Sequence, residues 1–260
     1  MWQLDLRAVA LTGHGSPPDL GIGLGMSGPR GRWLLLHGAP LTPQVWDGVA
    51  GYLREYGPVW CPDVSPAASG TDAQATLAAH LASAAGTFPQ RVHVAGHSFG
   101  GQVAIDFALL APERVQTLTV VCSRDTPFPP FAAAASRLRH GDPVDTRAVL
   151  GRWFTAAELA AGGPVVAYAR HRLYHADRAS WAAALDAIAG YDRAGRAGSI
   201  SVPCTLITAE LDQVATPAAM SALASRLPQA TLHILACAAH MTPFTDSARL
   251  AMLLTRAARS

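Results

Sequence analysis

The chain carries the run Gly96–Gly101, Gly-His-Ser-Phe-Gly-Gly, directly after an apolar segment that ends at Ala95. The run has the form G-x-S-x-G, in which a serine lies on a sharp turn between a strand and a helix. Small residues on both sides of Ser98 allow the backbone to bend that tightly. The segment 91–95 predicts a buried strand, and the apolar pattern of 102–110 predicts a helix. A serine between them indicates a nucleophile.

The composition is that of a large globular domain. The chain has 260 residues, of which 50% are hydrophobic, and can therefore bury a full core. Its formal charge is +2, and all 20 basic residues are arginines. These arginines are scattered among acidic residues, so a nucleic-acid partner is not expected. The absence of lysine excludes a lysine base or a Schiff base.

Cysteine spacing and the apolar segments exclude further classes. The four cysteines are isolated, so we expect small buried thiols rather than a metal or redox centre. No apolar run approaches the 18 residues of a membrane span, and Met1–Asp5 does not resemble a secretion signal. We therefore expect a cytoplasmic protein without a membrane partner. The cysteines are Cys61, Cys122, Cys204 and Cys237.

Strand-like and helix-like segments alternate, which predicts an α/β fold with a mostly parallel sheet flanked by helices. Eight strands are expected, at 2–11, 20–26, 33–36, 59–61, 91–95, 115–121, 205–208 and 231–235. Helices outside any insertion are expected at 43–54, 71–85, 102–110, 217–227 and 246–256.

The alternation is interrupted between Arg124 and Ser199, where helical segments and no strand are expected. The helices are predicted at 131–139, 155–161, 165–175 and 180–189. Ligands bind at the carboxyl ends of parallel strands, so an all-helical insertion after the sixth strand is placed to cover Ser98. We predict a core of residues 1–123 and 200–260, with a helical cap of residues 124–199.

A serine hydroxyl needs a base that takes its proton, and His240 is the best candidate. It follows the last predicted strand across a loop of small residues and precedes a helix. The other histidines near strands have simpler interpretations. His93 and His233 fall within strand patterns, while His97 is part of the serine turn itself and His37 braces the loop after its own strand.

The base must in turn be oriented by an acid, for which Asp212 is predicted. Asp212 follows the strand 205–208 through a short loop, and the order Ser98, Asp212, His240 is the one expected of this kind of fold. Two alternatives stay open. Glu210 lies in the same loop, and Asp125 follows the strand that ends at Val121.

Two backbone amides are predicted to stabilise a developing oxyanion. Phe99 follows Ser98 at the start of a helix, where its N–H is free. The loop after the strand 33–36 reads His-Gly-Ala-Pro, and Pro40 has no N–H. The second donor is therefore Ala39.

These segments together resemble the α/β-hydrolase superfamily, over nearly the whole chain. The residues that carry the resemblance are the H-G-x-P loop at 37–40, the serine turn, the Asp212 segment and the late His240. The stretches 151–155, 187–192 and 202–204 are similar to the cap region of 3-oxoadipate enol-lactonase-like hydrolases. This likeness implies a serine hydrolase that cleaves a small ester or lactone through an acyl-enzyme, without a cofactor or a metal.

Predicted substrate contacts come from the cap. Trp153 and Tyr168 are expected to line the acyl pocket, and Arg152 to pair with a substrate carboxylate. The same catalytic residues would also suit carbon–carbon bond hydrolysis, acyl transfer or thioester cleavage. A monomer or a homodimer is expected.

Several glycines usual in this superfamily are replaced here. Alanine occupies positions 209, 238 and 239, and alanine fits those turns only where φ is negative. The replacements leave open a further alternative, in which the chain is a ligand-binding relative without catalysis.

Overall fold

The computed structural model describes residues 31–67, 72–85 and 91–259. These residues form a six-stranded parallel sheet in the order β2-β1-β3-β4-β5-β6. Each strand lies within two residues of its predicted position. The other two predicted strands, 2–11 and 20–26, fall outside the described residues, so the count of eight stays a prediction. The strands are β1 Arg32–Leu36, β2 Val59–Trp60, β3 Val92–His97, β4 Val115–Val121, β5 Cys204–Ala209 and β6 Ala230–Leu235.

Strand β3 is the centre of the sheet, because it pairs with β1 on one side and β4 on the other. All six of its residues are buried, as expected for a parallel strand covered on both faces. Because every strand runs in the same direction, the loops after β1, β3, β5 and β6 emerge at one edge of the sheet. The chain moves outward from β1 to β2 and then returns to β3, which makes β1–β3 the point where ligands bind in such sheets.

Helices connect the strands. A 3-10 turn, Pro43–Trp46, precedes the first α-helix, because Pro43 favours a first helical turn but supplies no N–H. The predicted helix 102–110 begins earlier, at Phe99. The helices are α1 Asp47–Leu53, α2 Ala73–Ala85, α3 Phe99–Leu110, α4 Pro130–His140, α5 Thr146–Trp153, α6 Ala156–Ala161, α7 Pro164–His175, α8 Arg178–Gly190, α9 Pro217–Arg226, α10 Thr242–Thr245 and α11 Ser247–Ala257.

Helices α4 to α8 lie between β4 and β5, in the segment 124–199 that we call the helical insertion. Four of them match predicted helices, whereas α5 was not predicted. The signal for α5 is Asp145, whose carboxylate accepts a hydrogen bond from the Ala148 amide at 2.9 Å and caps the helix. No described helix of the chain combines the length and hydrophobicity that a membrane span requires.

Ion pairs join both ends of the helical insertion to helices α9 and α3. Near its start, the buried Asp125 accepts bonds of 2.8 and 2.6 Å from Arg226 at the end of α9. Near its end, Arg193 donates bonds of 2.7 and 3.0 Å to Asp106 of α3. Both carboxylates are at least 96% buried, so loss of either arginine would leave an uncompensated buried charge.

Candidate active site

Ser98 occupies the turn between β3 and α3 in a strained conformation, with φ of 54° and ψ of −120°. Non-glycine residues rarely have positive φ, and such strain clusters at functional sites. Two bonds hold the turn. The Ser98 amide donates to the Val121 carbonyl at 3.0 Å, and the Ser98 carbonyl accepts from Ser123 Oγ at 2.7 Å. Ser98 therefore lies, half-buried, directly after the carboxyl end of β3.

Two glycines make this turn possible by allowing close backbone approach. A Cβ atom at Gly96 would lie 2.2 Å from the Gly100 carbonyl oxygen. One at Gly100 would lie 2.3 Å from the carbonyl oxygen of Leu36 in β1. A side chain at either position would therefore displace α3 from the strands beneath it.

His240 and Asp212 are brought together from the loops after β6 and β5. Nδ1 of His240 lies 2.6 Å from Oδ2 of Asp212, and both side chains are at least 93% buried. The other carboxylate oxygen accepts bonds from the amides of Val214 and Ala215, at 2.8 and 3.0 Å. The carboxylate is thus held in place on one side and holds the imidazole on the other.

The charge state of Asp212 follows from these contacts. Burial by itself raises the pKa of this carboxyl, but the neighbouring imidazole and the two amide donors outweigh burial, and the pKa is lowered overall. Asp212 is therefore a carboxylate at neutral pH. A carboxylate bound at Nδ1 favours a proton on that nitrogen, which leaves Nε2 as the ring nitrogen that can accept a proton.

The two alternative acids are engaged elsewhere. Glu210 accepts a bond of 2.7 Å from the Cys237 amide, and so closes the loop that leads to His240. Asp125 is paired with Arg226, as described above. Among the three carboxylates considered from the sequence, Asp212 is the one that contacts His240.

A second histidine, His97, packs directly against His240, with ring centroids 4.7 Å apart. Its Nε2 lies 3.1 Å from the His240 carbonyl oxygen, to which it donates a hydrogen bond. Burial, with a further contribution from His240, lowers the pKa of His97 to about 3. His97 is therefore neutral and supports the backbone of His240.

Ser98 and His240 are not hydrogen-bonded in the part of the chain that the structure describes. Bonds between a catalytic serine and histidine are often long without substrate and tighten in the reacting complex. The structure thus brings Asp212 to His240 and places His240 against His97, the residue that precedes Ser98.

Ala39 and Phe99, whose amides are the predicted donors, line one cavity of about 220 Å³. Ser98 and His240 are not among the residues that line it; Ser98 lines a second cavity, of about 10 Å³, which it shares with Phe99. For neither Ala39 nor Phe99 do the described residues provide an acceptor for the backbone N–H. The loop that carries Ala39 also lies close to the turn at Ser98, because a Cβ atom at Gly38 would lie 3.0 Å from Cβ of Ser98. Two unpaired amides beside Ser98 can stabilise a negatively charged oxygen.

The three residues predicted to bind substrate lie outside the lining of this cavity. Arg152 is exposed at the end of α5. Trp153 is half-buried, and its carbonyl accepts a bond of 2.7 Å from the Met241 amide, next to His240. Tyr168 is half-buried and bonds through its hydroxyl to Thr42. Substrate binding by these residues stays a prediction.

The alanines that replace glycines adopt the conformation that alanine requires. Positive φ is not found at Ala209, Ala238 or Ala239. In the loop that leads to His240, the residue with positive φ is instead Cys237, with φ of 53°.

Cys122 is a part of this site that sequence reasoning missed. It follows β4 with φ of 45°, and its Sγ, a carboxylate oxygen of Asp212 and a ring nitrogen of His240 lie within 4.8 Å of one another. These are atoms of the metal-ligand type, but burial raises the pKa of the Cys122 thiol well above its usual value. The thiol is therefore protonated at neutral pH. An isolated cysteine at a strand end carries no signal for this position.

A central parallel sheet, a strained serine between β3 and α3, and an acid and a histidine after the last two strands define an α/β-hydrolase fold. The chain belongs to the alpha/beta hydrolase family, whose model matches residues 33–253. The family resemblance predicted from the sequence is therefore confirmed.

Solved structures share this fold. An enol-lactonase from Burkholderia xenovorans LB400 superposes with a TM-score of 0.79 at 22% identity, covering 90% of this chain and 93% of that one. A thermophilic esterase from Thermogutta terrifontis has a TM-score of 0.78 at 24% identity, covering 89% of this chain and 90% of that one.

One curated protein has a higher sequence identity to this chain than these two structures have, but over a shorter region. The pimeloyl-[acyl-carrier protein] methyl ester esterase of Nitrosomonas europaea is 40% identical over 91 residues, which are 35% of this chain and 36% of that protein. The chain spans 36% to 64% of the length of the six curated relatives that it matches.

Proposed function

We propose that the protein hydrolyses a small carboxylic ester or lactone, with Ser98 as nucleophile, His240 as base and Asp212 as the acid that orients the base. The observation that carries the proposal is the 2.6 Å contact between Asp212 and His240 at the sheet edge where Ser98 lies in its strained turn. Asp212 has the charge state that this chemistry needs, because its pKa is lowered and it is ionised at neutral pH. Its contact with His240 Nδ1 leaves Nε2 as the nitrogen that can act as the proton acceptor.

In the first half of the reaction, Ser98 Oγ attacks the substrate carbonyl carbon as its proton passes to His240 Nε2. The carbonyl oxygen becomes an oxyanion, which the amides of Ala39 and Phe99 stabilise. Asp212 stabilises the imidazolium formed. The C–O bond of the ester then breaks, and the imidazolium returns its proton to the leaving alkoxide, which departs as an alcohol.

In the second half, a water molecule attacks the acyl-enzyme on Ser98. His240 takes the proton of this water, and the same two amides hold the second oxyanion. Collapse of this intermediate breaks the bond to Ser98 Oγ, which recovers a proton from His240, and a carboxylic acid is released. A lactone follows the same steps, with acid and alcohol leaving as one molecule.

The cavity beside Ala39 and Phe99 favours a small substrate. Its volume of about 220 Å³ is below the range of about 300–1,000 Å³ typical of pockets for drug-sized ligands. Arg172, Trp181 and other residues of the helical insertion form part of its wall. We propose that the insertion acts as the cap of this site. The relatives named as an enol-lactonase and a methyl ester esterase are consistent with the substrate class.

The test compares native protein with Ser98→Ala on p-nitrophenyl acetate, phenyl acetate and a simple aromatic lactone. We expect kcat/KM to fall by about 10⁴-fold or more, because the serine, histidine and aspartate act as a unit. A fluorophosphonate should add one adduct to the native protein by intact mass and none to Ser98→Ala.

Ser221→Ala, an exposed serine on α9, is the matched control and should behave as native protein. Equal rates for native protein and Ser98→Ala, or an adduct on another residue, would defeat the proposal. Turnover of thioesters or of vinylogous diketones in preference to esters would retain the catalytic residues but change the reaction. The cytoplasmic location and the monomeric or dimeric state stay predictions.

A further inference from the structure

Helix α7 of the helical insertion is bonded to the loop that carries Ala39. The Tyr168 hydroxyl accepts a hydrogen bond of 2.8 Å from the Thr42 amide and lies 2.9 Å from Thr42 Oγ1. One helical turn later, Arg172 Nε donates a bond of 3.2 Å to the Pro40 carbonyl. Residues four apart lie on one face of a helix, so both side chains reach the loop from the same side.

The two side chains are hydrogen-bonded to the loop on either side of Leu41, which is itself buried. Inside the loop, the Leu41 amide donates to the Gly38 carbonyl at 2.9 Å and makes a tight turn around Ala39. Side-chain bonds to the carbonyl of Pro40 and the amide of Thr42 therefore fix the C-terminal half of that turn. Its N-terminal half lies close against the turn at Ser98, because a Cβ atom at Gly38 would be 2.9 Å from His97 Nδ1 and 3.0 Å from Ser98 Cβ.

Position matters here because an oxyanion donor works only within a narrow distance of the developing charge, about 2.7–3.1 Å. A displacement of about 1 Å from a change outside the reacting groups can cost about 100-fold in rate. Tyr168 and Arg172 hold backbone groups one to three residues from the Ala39 amide. Without these two side chains the Ala39 amide would still be present, but it could move away from the position that the oxyanion requires.

We propose that Tyr168 and Arg172 are positioning residues that hold the Ala39 amide in place for the oxyanion. The helical insertion then contributes to transition-state stabilisation as well as covering the substrate. The inference rests on the proposed function, because it assigns a part in the same reaction.

The test uses Tyr168→Phe, Arg172→Met and the double variant in the full chain. We expect kcat on p-nitrophenyl acetate to fall about 10-fold for each single variant and about 100-fold for the double variant. KM of Tyr168→Phe should change less than about two-fold, because Tyr168 lies outside the lining of the cavity. The inhibition constant of a boronic acid, which forms a tetrahedral adduct on serine, should rise by the same factors as kcat falls.

Matched controls come from the same helix. Tyr174→Phe and Arg170→Met make the same chemical changes at exposed positions and should leave kcat and the inhibition constant as in native protein. The inhibition constant separates positioning from partial unfolding. An unfolded fraction would lower kcat per total protein but would leave the boronic acid affinity of the folded fraction unchanged.

The outcomes also separate this inference from the proposed function. If native protein shows neither turnover nor a fluorophosphonate adduct on Ser98, the proposed function fails. If native protein passes that test and Tyr168→Phe and Arg172→Met keep their kcat and inhibition constants, only the present inference is overturned. A rise in KM at constant kcat would also overturn it, since Arg172 would then contact the substrate directly.

Discussion

At the scale of single residues, the contact between Asp212 and His240 carries the most chemical consequence. Replacing the carboxylate with an amide in Asp212→Asn keeps the shape of the side chain but no longer favours the His240 tautomer with its proton on Nδ1. We expect kcat to fall by about 10³–10⁴-fold. Steady-state kinetics on an aryl ester, with circular dichroism to verify folding, would measure the effect.

Glu210→Gln is the control for Asp212→Asn, because it makes the same change in the same loop. Glu210 is exposed and accepts a hydrogen bond from the Cys237 amide, so kcat should change by no more than a few-fold. A larger loss of kcat in Glu210→Gln than in Asp212→Asn would show that the acid has been misassigned.

At the scale of secondary-structure elements, helix α6 supports the loop that carries His240. Glu158 of α6 accepts bonds of 3.0 Å from the hydroxyls of Thr242 and Thr245. Thr242 Oγ1 in turn accepts the Ala239 amide at 2.8 Å. The loop is thus hydrogen-bonded both before His240, at Ala239, and after it, at Thr242 and Thr245.

Glu158→Gln should loosen this support, because an amide has one acceptor oxygen where the carboxylate has two. We expect kcat on an aryl ester to fall about 10-fold at unchanged KM, since the base loses its alignment while substrate contacts persist. Glu113→Gln, at an exposed glutamate remote from this loop, should leave kcat as in native protein. If Glu158→Gln lowers the melting temperature without changing kcat, the contact serves stability alone.

At the scale of the whole molecule, buried histidines couple folding to pH. Burial lowers the pKa of His93 to about 4 and that of His97 to about 3, from an unfolded value near 6.5. As pH falls below 6.5 the unfolded chain therefore binds protons that the folded chain does not. Stability from these neutral histidines is present above pH 6.5 and is lost progressively toward pH 3 to 4.

Urea unfolding at pH 7 and pH 5 would measure this dependence. Each of the two histidines should contribute a loss of about 2 kcal/mol over that interval. In His97→Gln the loss should be smaller by about half, whereas the exposed His140→Gln should retain the native dependence. A pH dependence that is unchanged in His97→Gln would contradict the assignment of His97 as neutral in the folded state.

The sequence by itself determined the six strands that the structure describes, the serine turn and the chain order of the loops that carry Asp212 and His240. These features depend on local patterns, namely runs of apolar residues and small residues at sharp turns. The apolar run before Ser98 is an example, because consecutive apolar residues predict a buried strand, and Gly96 allows the close approach of Gly100, four residues later in the chain. The strand bounds differ by at most two residues, since pairing with neighbours extends or trims a strand end.

Only the tertiary structure decided which carboxylate contacts His240 and which helices hold the loops that carry Ala39 and His240. Asp212 and Glu210 both follow β5, and their local sequence does not distinguish them. The contact partners are 28 residues apart for Asp212 and His240, and 126 apart for Tyr168 and Thr42. Such pairs depend on how the sheet and the helical insertion pack together, and a single sequence contains no periodic signal for that packing.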